Sequence, residues 1–364
     1  MRLGVAAALV AGEVVAGDVT VEGSLVDAVG IAGGGGSGLA VPGFVDVQVN
    51  GFAGVDFLAA EPADYARAGE ALAATGVTAY LPTFITAPPD AYRAALAALA
   101  AAPGGGPRRL GAHLEGPFLS PAWPGAHPVE HLRAPDLALA DELRAIGPVA
   151  TMTVAPELPG GLDLVTALAA RGVVVHIGHT DADAACAHAA FERGARALTH
   201  IHNAHRRFAP RDPGPAGVAL VRPDVTVTAI VDGVHLAPET VASALLAARE
   251  RFCLITDAIA AAGCGDGTFR LGERDVHVAD GACRLTDGTL AGSIVTMDRA
   301  VRELAALGAT TAEAVHAATT APARLLGRPG IGTLAPGGRA DITVLDDRLH
   351  VVRTVVGGVE AFAR

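Results

Sequence analysis

The sequence predicts an α/β protein: a (β/α)8 TIM-like barrel with a small β-sandwich domain formed by both chain termini. Two observations carry this. From Val41 onward, short β-rich runs alternate with Ala/Leu-rich segments of helical period, the texture of βαβ units. Before that point, and again after Gly332, the chain reads as short strands broken by turns, so its two ends share a texture that the middle lacks. The expected boundaries are 1–41 with 333–364 for the small β-domain, and 42–332 for the barrel.

In chain order, the first strand candidates are Val19-Thr20-Val21 and Val26-Asp27-Ala28-Val29, followed by a flexible stretch from Gly33 to Gly38. Eight barrel strands are expected at 44–49, 77–84, 110–114, 151–155, 173–177, 197–201, 225–231 and 253–256. Helices are expected between most of them, at 62–74, 89–101, 136–146, 162–170, 181–193 and 238–251. Asp181 is the expected N-cap of the fifth and Gly194 its C′ residue. Two more helices, 293–307 and 311–326, follow, with Thr311 as a candidate N-cap. Strands at 340–345 and 351–356 return the chain to β structure.

The 364 residues are 51% hydrophobic and 18% charged, ample for a large core. Alanine and glycine supply much of that apolar count, and no run approaches the ~20 strongly apolar residues of a spanning helix. The first ten residues are apolar with one arginine, but Gly12, Glu13 and Asp18 follow at once and no cleavage site is legible. A cytoplasmic protein is expected. A net charge of −11 without a Lys/Arg run argues against nucleic acid and anionic membrane as partners. A phosphorylated small molecule remains compatible, because local cations and backbone N–H groups outweigh a global field at short range. The four cysteines form no CxxC pair, so neither a zinc knuckle nor a disulfide framework is indicated.

Residues able to do chemistry fall at the ends of the predicted strands. His113-Leu114-Glu115-Gly116-Pro117 ends the third, His176-Ile177-Gly178-His179-Thr180 the fifth, and Thr199-His200-Ile201-His202-Asn203-Ala204 the sixth. Asp232-Gly233-Val234-His235 follows the seventh and Thr256-Asp257-Ala258 the eighth. In a parallel barrel these positions share one face, where active sites are assembled. Imidazoles and carboxylates converging there make a site for a divalent metal. Taken singly, each residue has an ordinary reading: a satisfied strand-end histidine, Asp257 as a helix cap, Glu115 paired with an arginine. Their shared placement favours chemistry.

With these motifs in order, the chain resembles the amidohydrolase superfamily, and within it the deacetylases of amino-sugar phosphates. The resemblance runs nearly end to end. It also includes the run from Pro42 to Gly51, Leu290-Ala291-Gly292-Ser293, and the late run from Gly332 to Asp341. It implies Glu115, His179 and His200 as metal ligands and Asp257 as catalytic acid/base. It implies that His127 polarises the acetyl carbonyl or holds the sugar, and that Ala126, Asn203, Ala204, Arg211, His235, Leu290, Ala291 and Gly292 bind substrate, Arg211 being the first choice for phosphate. The cofactor this implies is one divalent ion per subunit, Zn²⁺ first, with Fe²⁺, Mn²⁺ and Co²⁺ served by the same N/O ligands.

One departure matters. Many amidohydrolases carry His-x-His after the first strand, where this chain reads Gln48-Val49-Asn50. Amide oxygens are weak ligands beside imidazole, so one tightly bound metal is expected, Gln48 and Asn50 marking a vestigial second-metal position. His202, two residues after His200, is read as a sugar contact or polar rim residue rather than a ligand, although alternation along a strand would put both on one face.

The reaction implied is hydrolysis of the acetamide of N-acetylglucosamine 6-phosphate to glucosamine 6-phosphate and acetate. Asp257 acts as general base and acid, and a metal-activated water is the nucleophile. The nearest alternative substrate is the C4 epimer, N-acetylgalactosamine 6-phosphate. A cyclic-amide hydrolase is disfavoured because Ala155-Pro156-Glu157 stands after the fourth strand, without a bridging lysine. A non-catalytic amino-sugar-phosphate-binding barrel is disfavoured by the retention of Asp257 and all three ligands. The resemblance further implies a homodimer with one phosphate contact reaching across from the neighbouring subunit.

Overall fold

The computed structural model describes residues 1–33 and 36–364, so the middle of the glycine stretch expected to be flexible lies outside the described residues. Eight parallel strands form the central barrel: β1 (Phe44–Val49), β2 (Val77–Ile85), β3 (Ala112–Glu115), β4 (Val149–Val154), β5 (Val174–Ile177), β6 (Ala197–Leu198), β7 (Thr226–Ala229) and β8 (Phe252–Leu254). They pair in sequence order. The ring closes between first and last strands through hydrogen bonds from Asn50 N to Ala258 O (2.7 Å) and from Asp257 N to Gln48 O (2.8 Å). Closure thus runs through residues that the sequence marks for chemistry. β1 and β2 are buried along their whole length, as strands covered on both faces must be, which is why they read as continuous apolar runs.

Parallel neighbours need crossovers, and helices supply them. They are α1 (Asp64–Ala73), α2 (Pro89–Ala101), α3 (Leu137–Ile146), α4 (Gly161–Ala170), α5 (Ala184–Glu192), α6 (Gly214–Val221), α7 (Pro238–Ala248), α8 (Met297–Ala306), α9 (Thr311–Ala318) and α10 (Thr320–Leu325). Pro89 begins α2, where its missing N–H has no helical partner to lose. Asp136 caps α3 by accepting from Leu139 N.

Local rules misplace three helix features. The cap of α5 is Asp183, which accepts from Cys186 N at 2.8 Å; Asp181 is engaged elsewhere. Thr310 rather than Thr311 caps α9, in a reciprocal capping box with Glu313. The helix expected over 311–326 breaks at Thr319 (φ −132°, ψ −77°), and Pro322, lacking an N–H, sits in the first turn of the second piece. α6, which opens on Gly214-Pro215, lies where no helix was expected.

The chain ends build a six-stranded mixed sheet, in which Leu39–Pro42 pairs antiparallel with Ile342–Leu345. A hairpin of Asp18–Glu22 and Leu25–Ile31 shares its core, formed by Val5, Val19, Val26, Ile342, Val344 and others. Buried Asp341 joins this sheet to the barrel, accepting from Arg108 Nε (3.1 Å) and Nη2 (3.2 Å). Between β8 and α8 an unexpected three-stranded sheet, Gly267–Leu271, Arg274–Ala279 and Ala282–Arg284, packs with Ile85 and Ile259 at the barrel mouth. Among the described residues, no helix is long and apolar enough to cross a membrane.

Candidate active site

Three donors meet at the C-terminal mouth of the barrel. Glu115 ends β3, His179 follows β5 and His200 follows β6. Glu115 Oε1 lies 3.1 Å from His200 Nε2 and 3.5 Å from His179 Nε2. One ligand atom from each of the three falls within 4.8 Å of the others. Both imidazoles are oriented from behind: His179 Nδ1 donates to Trp123 O (3.0 Å) and His200 Nδ1 to Asn203 O (3.2 Å). That leaves each Nε2 lone pair aimed inward, the tautomer a metal ligand needs. Burial raises the pKa of Glu115, but the imidazoles of His127, His179 and His200 beside it more than reverse this and hold its carboxyl well below the usual range. The donor set, two imidazole nitrogens and an ionised carboxylate, fits a divalent ion of the zinc type.

The backbone is strained where the ligands sit. His179 (φ 51°), His200 (φ 24°) and Asp257 (φ 48°) adopt left-handed conformations rare for residues with a Cβ. This explains why β6 stops at Leu198 instead of continuing through 201, and it voids the expected alternation of His200 with His202. His202, itself at φ 69°, is neither in the donor cluster nor on the cavity wall. Two glycines make room. A Cβ on Gly125 would stand 2.9 Å from His179 Cε1, and one on Gly292 would stand 2.8 Å from Asp257 O.

Asp257 is buried beside the triad and receives hydrogen bonds from Asn50 Nδ2 (2.7 Å) and Gln48 Nε2 (3.2 Å), both to Oδ1. Gln48 Nε2 also donates to Glu115 Oε1 at 2.8 Å. The two amides therefore turn N–H groups, not oxygens, toward the carboxylates, and their own oxygens are buried without protein partners. Burial, then the charge of Glu115, push the Asp257 carboxyl up to about 6. Behind it, Asp46 accepts from Thr256 Oγ1 at 2.5 Å, anchoring the residue before Asp257.

The tautomer of His127 follows from its partners. Thr86 N donates to His127 Nδ1 at 3.1 Å, so Nδ1 is an acceptor and Nε2 carries the proton. That N–H faces the site, 3.7 Å from Glu115 Oε2. Burial, then the neighbouring His179 imidazole, hold the pKa of His127 down at about 4, so the ring is a neutral donor. His205, absent from the sequence reading, accepts from His202 N at 2.7 Å and pins the loop after His200.

These groups form the floor of a cavity of about 410 Å³. Of the substrate positions expected from the sequence, Ala126, His127, Asn203, Ala204, His235, Leu290 and Gly292 line it. Ala291 is buried behind the wall, and Arg211 is exposed outside it. The cavity's arginines are Arg207 and Arg284, which the sequence reading did not single out; Trp123 also lines it. The Asp280-Gly281 and Asp287-Gly288 turn signals, with strict alternation over Arg274–Ala279, were the available hint of the sheet that carries Arg284.

A closed (β/α)8 barrel with an imidazole–carboxylate triad and a buried carboxylate at its C-terminal mouth defines a barrel hydrolase with a candidate metal centre. The chain belongs to the amidohydrolase family, whose sequence model matches residues 39–361, and within it to the amino-sugar-phosphate deacetylases. It is 41% identical over 345 residues to N-acetylglucosamine-6-phosphate deacetylase of Homo sapiens, covering 89% of this chain and 83% of the human one. It is 38% identical over 327 residues to N-acetylgalactosamine-6-phosphate deacetylase of Escherichia coli O157:H7, covering 88% and 87%. Among solved structures it is similar to a mutant N-acetyl-D-glucosamine-6-phosphate deacetylase from Mycobacterium smegmatis in complex with N-acetyl-D-glucosamine-6-phosphate. That likeness has a TM-score of 0.94 and 35% identity, covering 100% and 99% of the two chains.

Proposed function

We propose that the chain hydrolyses the acetamide of N-acetylglucosamine 6-phosphate, using one divalent cation, Zn²⁺ first among the candidates, held by Glu115, His179 and His200. The observation that carries this is the meeting of that triad, Asp257 and the His127 Nε2–H on the floor of one cavity. When bound, such an ion supplies Lewis acidity toward the acetyl carbonyl and a water of lowered pKa.

The side chains do the rest. Asp257 accepts the proton of the attacking water as the new C–O bond forms at the acetyl carbon. His127 donates its Nε2–H to the oxygen on which negative charge develops, with no reorganisation needed because Thr86 already fixes the ring. Asp257 then returns the proton to the sugar nitrogen as the C–N bond breaks, releasing acetate and glucosamine 6-phosphate. Gln48 and Asn50 hold Asp257 between the two transfers, so this chain spends the vestigial second-metal position on carboxylate positioning.

The phosphate lies toward the mouth, near Asn203, Ala204 and His235, whose ring Asp232 fixes through a 2.8 Å contact to Nδ1. The chain works as a homodimer in which Arg211 reaches the neighbouring subunit's phosphate. Support comes from the exposure of Arg211 outside its own cavity, on a loop where Phe208 is 58% exposed. Comparing kcat/KM for N-acetylglucosamine 6-phosphate, its C4 epimer and free N-acetylglucosamine tests the substrate. The first is expected to lead. A lead for the epimer would move the chain to the galactosamine branch.

A further inference from the structure

The protein's sole tryptophan, Trp123, stands on the loop that also carries His127, and its polar groups and ring face are all engaged. Its carbonyl accepts from His179 Nδ1 at 3.0 Å. Its indole N–H donates to Asp181 Oδ1 at 2.9 Å. Over the ring lies the guanidinium of Arg207, with Cζ 5.6 Å from the centroid. Asp181 is held in turn, its N–H donating to Glu157 Oε1 at 2.6 Å, while Thr180 bonds the other oxygen of Glu157. The ring is therefore a fixed platform.

Arg207 differs from its neighbours in what it leaves free. Arg206 is paired with Asp212 at 2.8 Å. Arg284, the cavity's other arginine, donates Nη1 to Gly288 O at 2.9 Å. Arg207 has no carboxylate at ion-pair distance among the described residues; its one polar contact is a long 3.5 Å approach to His202 O. A guanidinium stacked on an aromatic face keeps its N–H edge available and has less rotamer freedom left to lose. The carboxylates of Glu115 and Asp257 lie on the cavity floor, so the field orients a ligand with its anionic end toward Arg207.

We propose that Arg207, presented by Trp123, is the phosphate-binding cation that each subunit supplies to its own cavity. This rests on the amino-sugar-phosphate reading and names the group that recognises its anionic end. Trp123 is then a positioning residue for both poles, setting His179 with its carbonyl and Arg207 with its ring.

The test compares Arg207→Ala, Arg207→Lys and Arg284→Ala on phosphorylated and free N-acetylglucosamine, alongside Trp123 emission during titration with glucose 6-phosphate and with glucose. Arg207→Ala is expected to lower kcat/KM roughly 10- to 100-fold on the phosphorylated sugar, through KM, the scale of a lost charged hydrogen-bond pair. The effect on the free sugar is expected to be several-fold smaller, and Arg207→Lys to fall between, keeping charge without the fork. Glucose 6-phosphate, not glucose, is expected to change Trp123 emission saturably, with a midpoint about tenfold or more higher in Arg207→Ala. Equal losses on both sugars, or selectivity lost in Arg284→Ala and kept in Arg207→Ala, would overturn the assignment. If no sugar released acetate, the substrate reading would fail separately. The emission titration would still decide: a response weakened in Arg207→Ala supports an anion site there, and an unchanged or absent response removes it.

Discussion

Asn50 and Asp257 are joined by a 2.7 Å hydrogen bond in which the amide N–H points at the carboxylate. The position where relatives with two metals place His-x-His is used here to hold the group assigned as proton carrier. Replacing that group tests the role without touching a ligand. Asp257→Asn is expected to lower kcat by about 10²- to 10⁴-fold, the usual worth of a general base, while metal content by elemental analysis stays at the wild-type level. A variant that keeps most of its turnover contradicts the assignment.

The same contact sets a pH dependence. Burial and the charge of Glu115 push Asp257 up to about 6, against the pull of His200, His235 and the Asn50 hydrogen bond. A base must be ionised, so kcat/KM is expected to fall as pH drops through an acidic limb at or below about 6, because a bound cation favours the carboxylate and moves the limb lower. Asn50→Ala removes a hydrogen bond to the ionised form and is expected to raise that limb. A limb that stays fixed or moves down in the pH–rate profile of this variant would count against the role of Asn50.

Arg211 provides the test of assembly. Arg211→Ala is expected to raise KM for the phosphorylated sugar about tenfold or more while sparing the free sugar. Mixing Arg211→Ala with Asp257→Asn chains is expected to recover low-KM turnover, because a mixed dimer holds one cavity with intact Asp257 and a partner with intact Arg211. Failure to recover would place Arg211 outside the phosphate site or confine it to its own subunit.

Stability between the two parts of the fold rests partly on Asp341, buried and bonded to Arg108, Arg339 and Gly357 N (2.6 Å). Asp341→Ala strands that N–H and the Arg108 fork. Calorimetry is expected to show a loss of about 2–4 kcal/mol, with kcat measured in the cold little changed. A thermal midpoint equal to wild type would mean that the pair contributes nothing.

The barrel was legible because strands buried on both faces leave apolar runs, and the site because its donors sit where those runs end. Glu115, His179, His200 and Asp257 each occupy such a position. What sequence reasoning missed depends on distant partners. Asp181 has the chemistry of a helix cap, yet Trp123, far away in the chain, takes its carboxylate at 2.9 Å. Alternation placed His200 and His202 on one face, but left-handed backbone at both ends that logic. Nothing in the sequence marks Arg207, because the Trp123 ring that lies beneath it is brought there only by the fold. Arg211, conversely, fits the family motif but lies outside the cavity of its own chain.

Metal-dependent deacetylation at the Glu115–His179–His200 triad is the activity proposed for this chain. The most direct measurement is acetate release from N-acetylglucosamine 6-phosphate by EDTA-treated protein titrated with Zn²⁺. Release is expected to be absent after chelation and to rise to a plateau near one equivalent per chain. Full release from metal-free protein, or none at any Zn²⁺ ratio or with Fe²⁺, Mn²⁺ or Co²⁺ in its place, would contradict it.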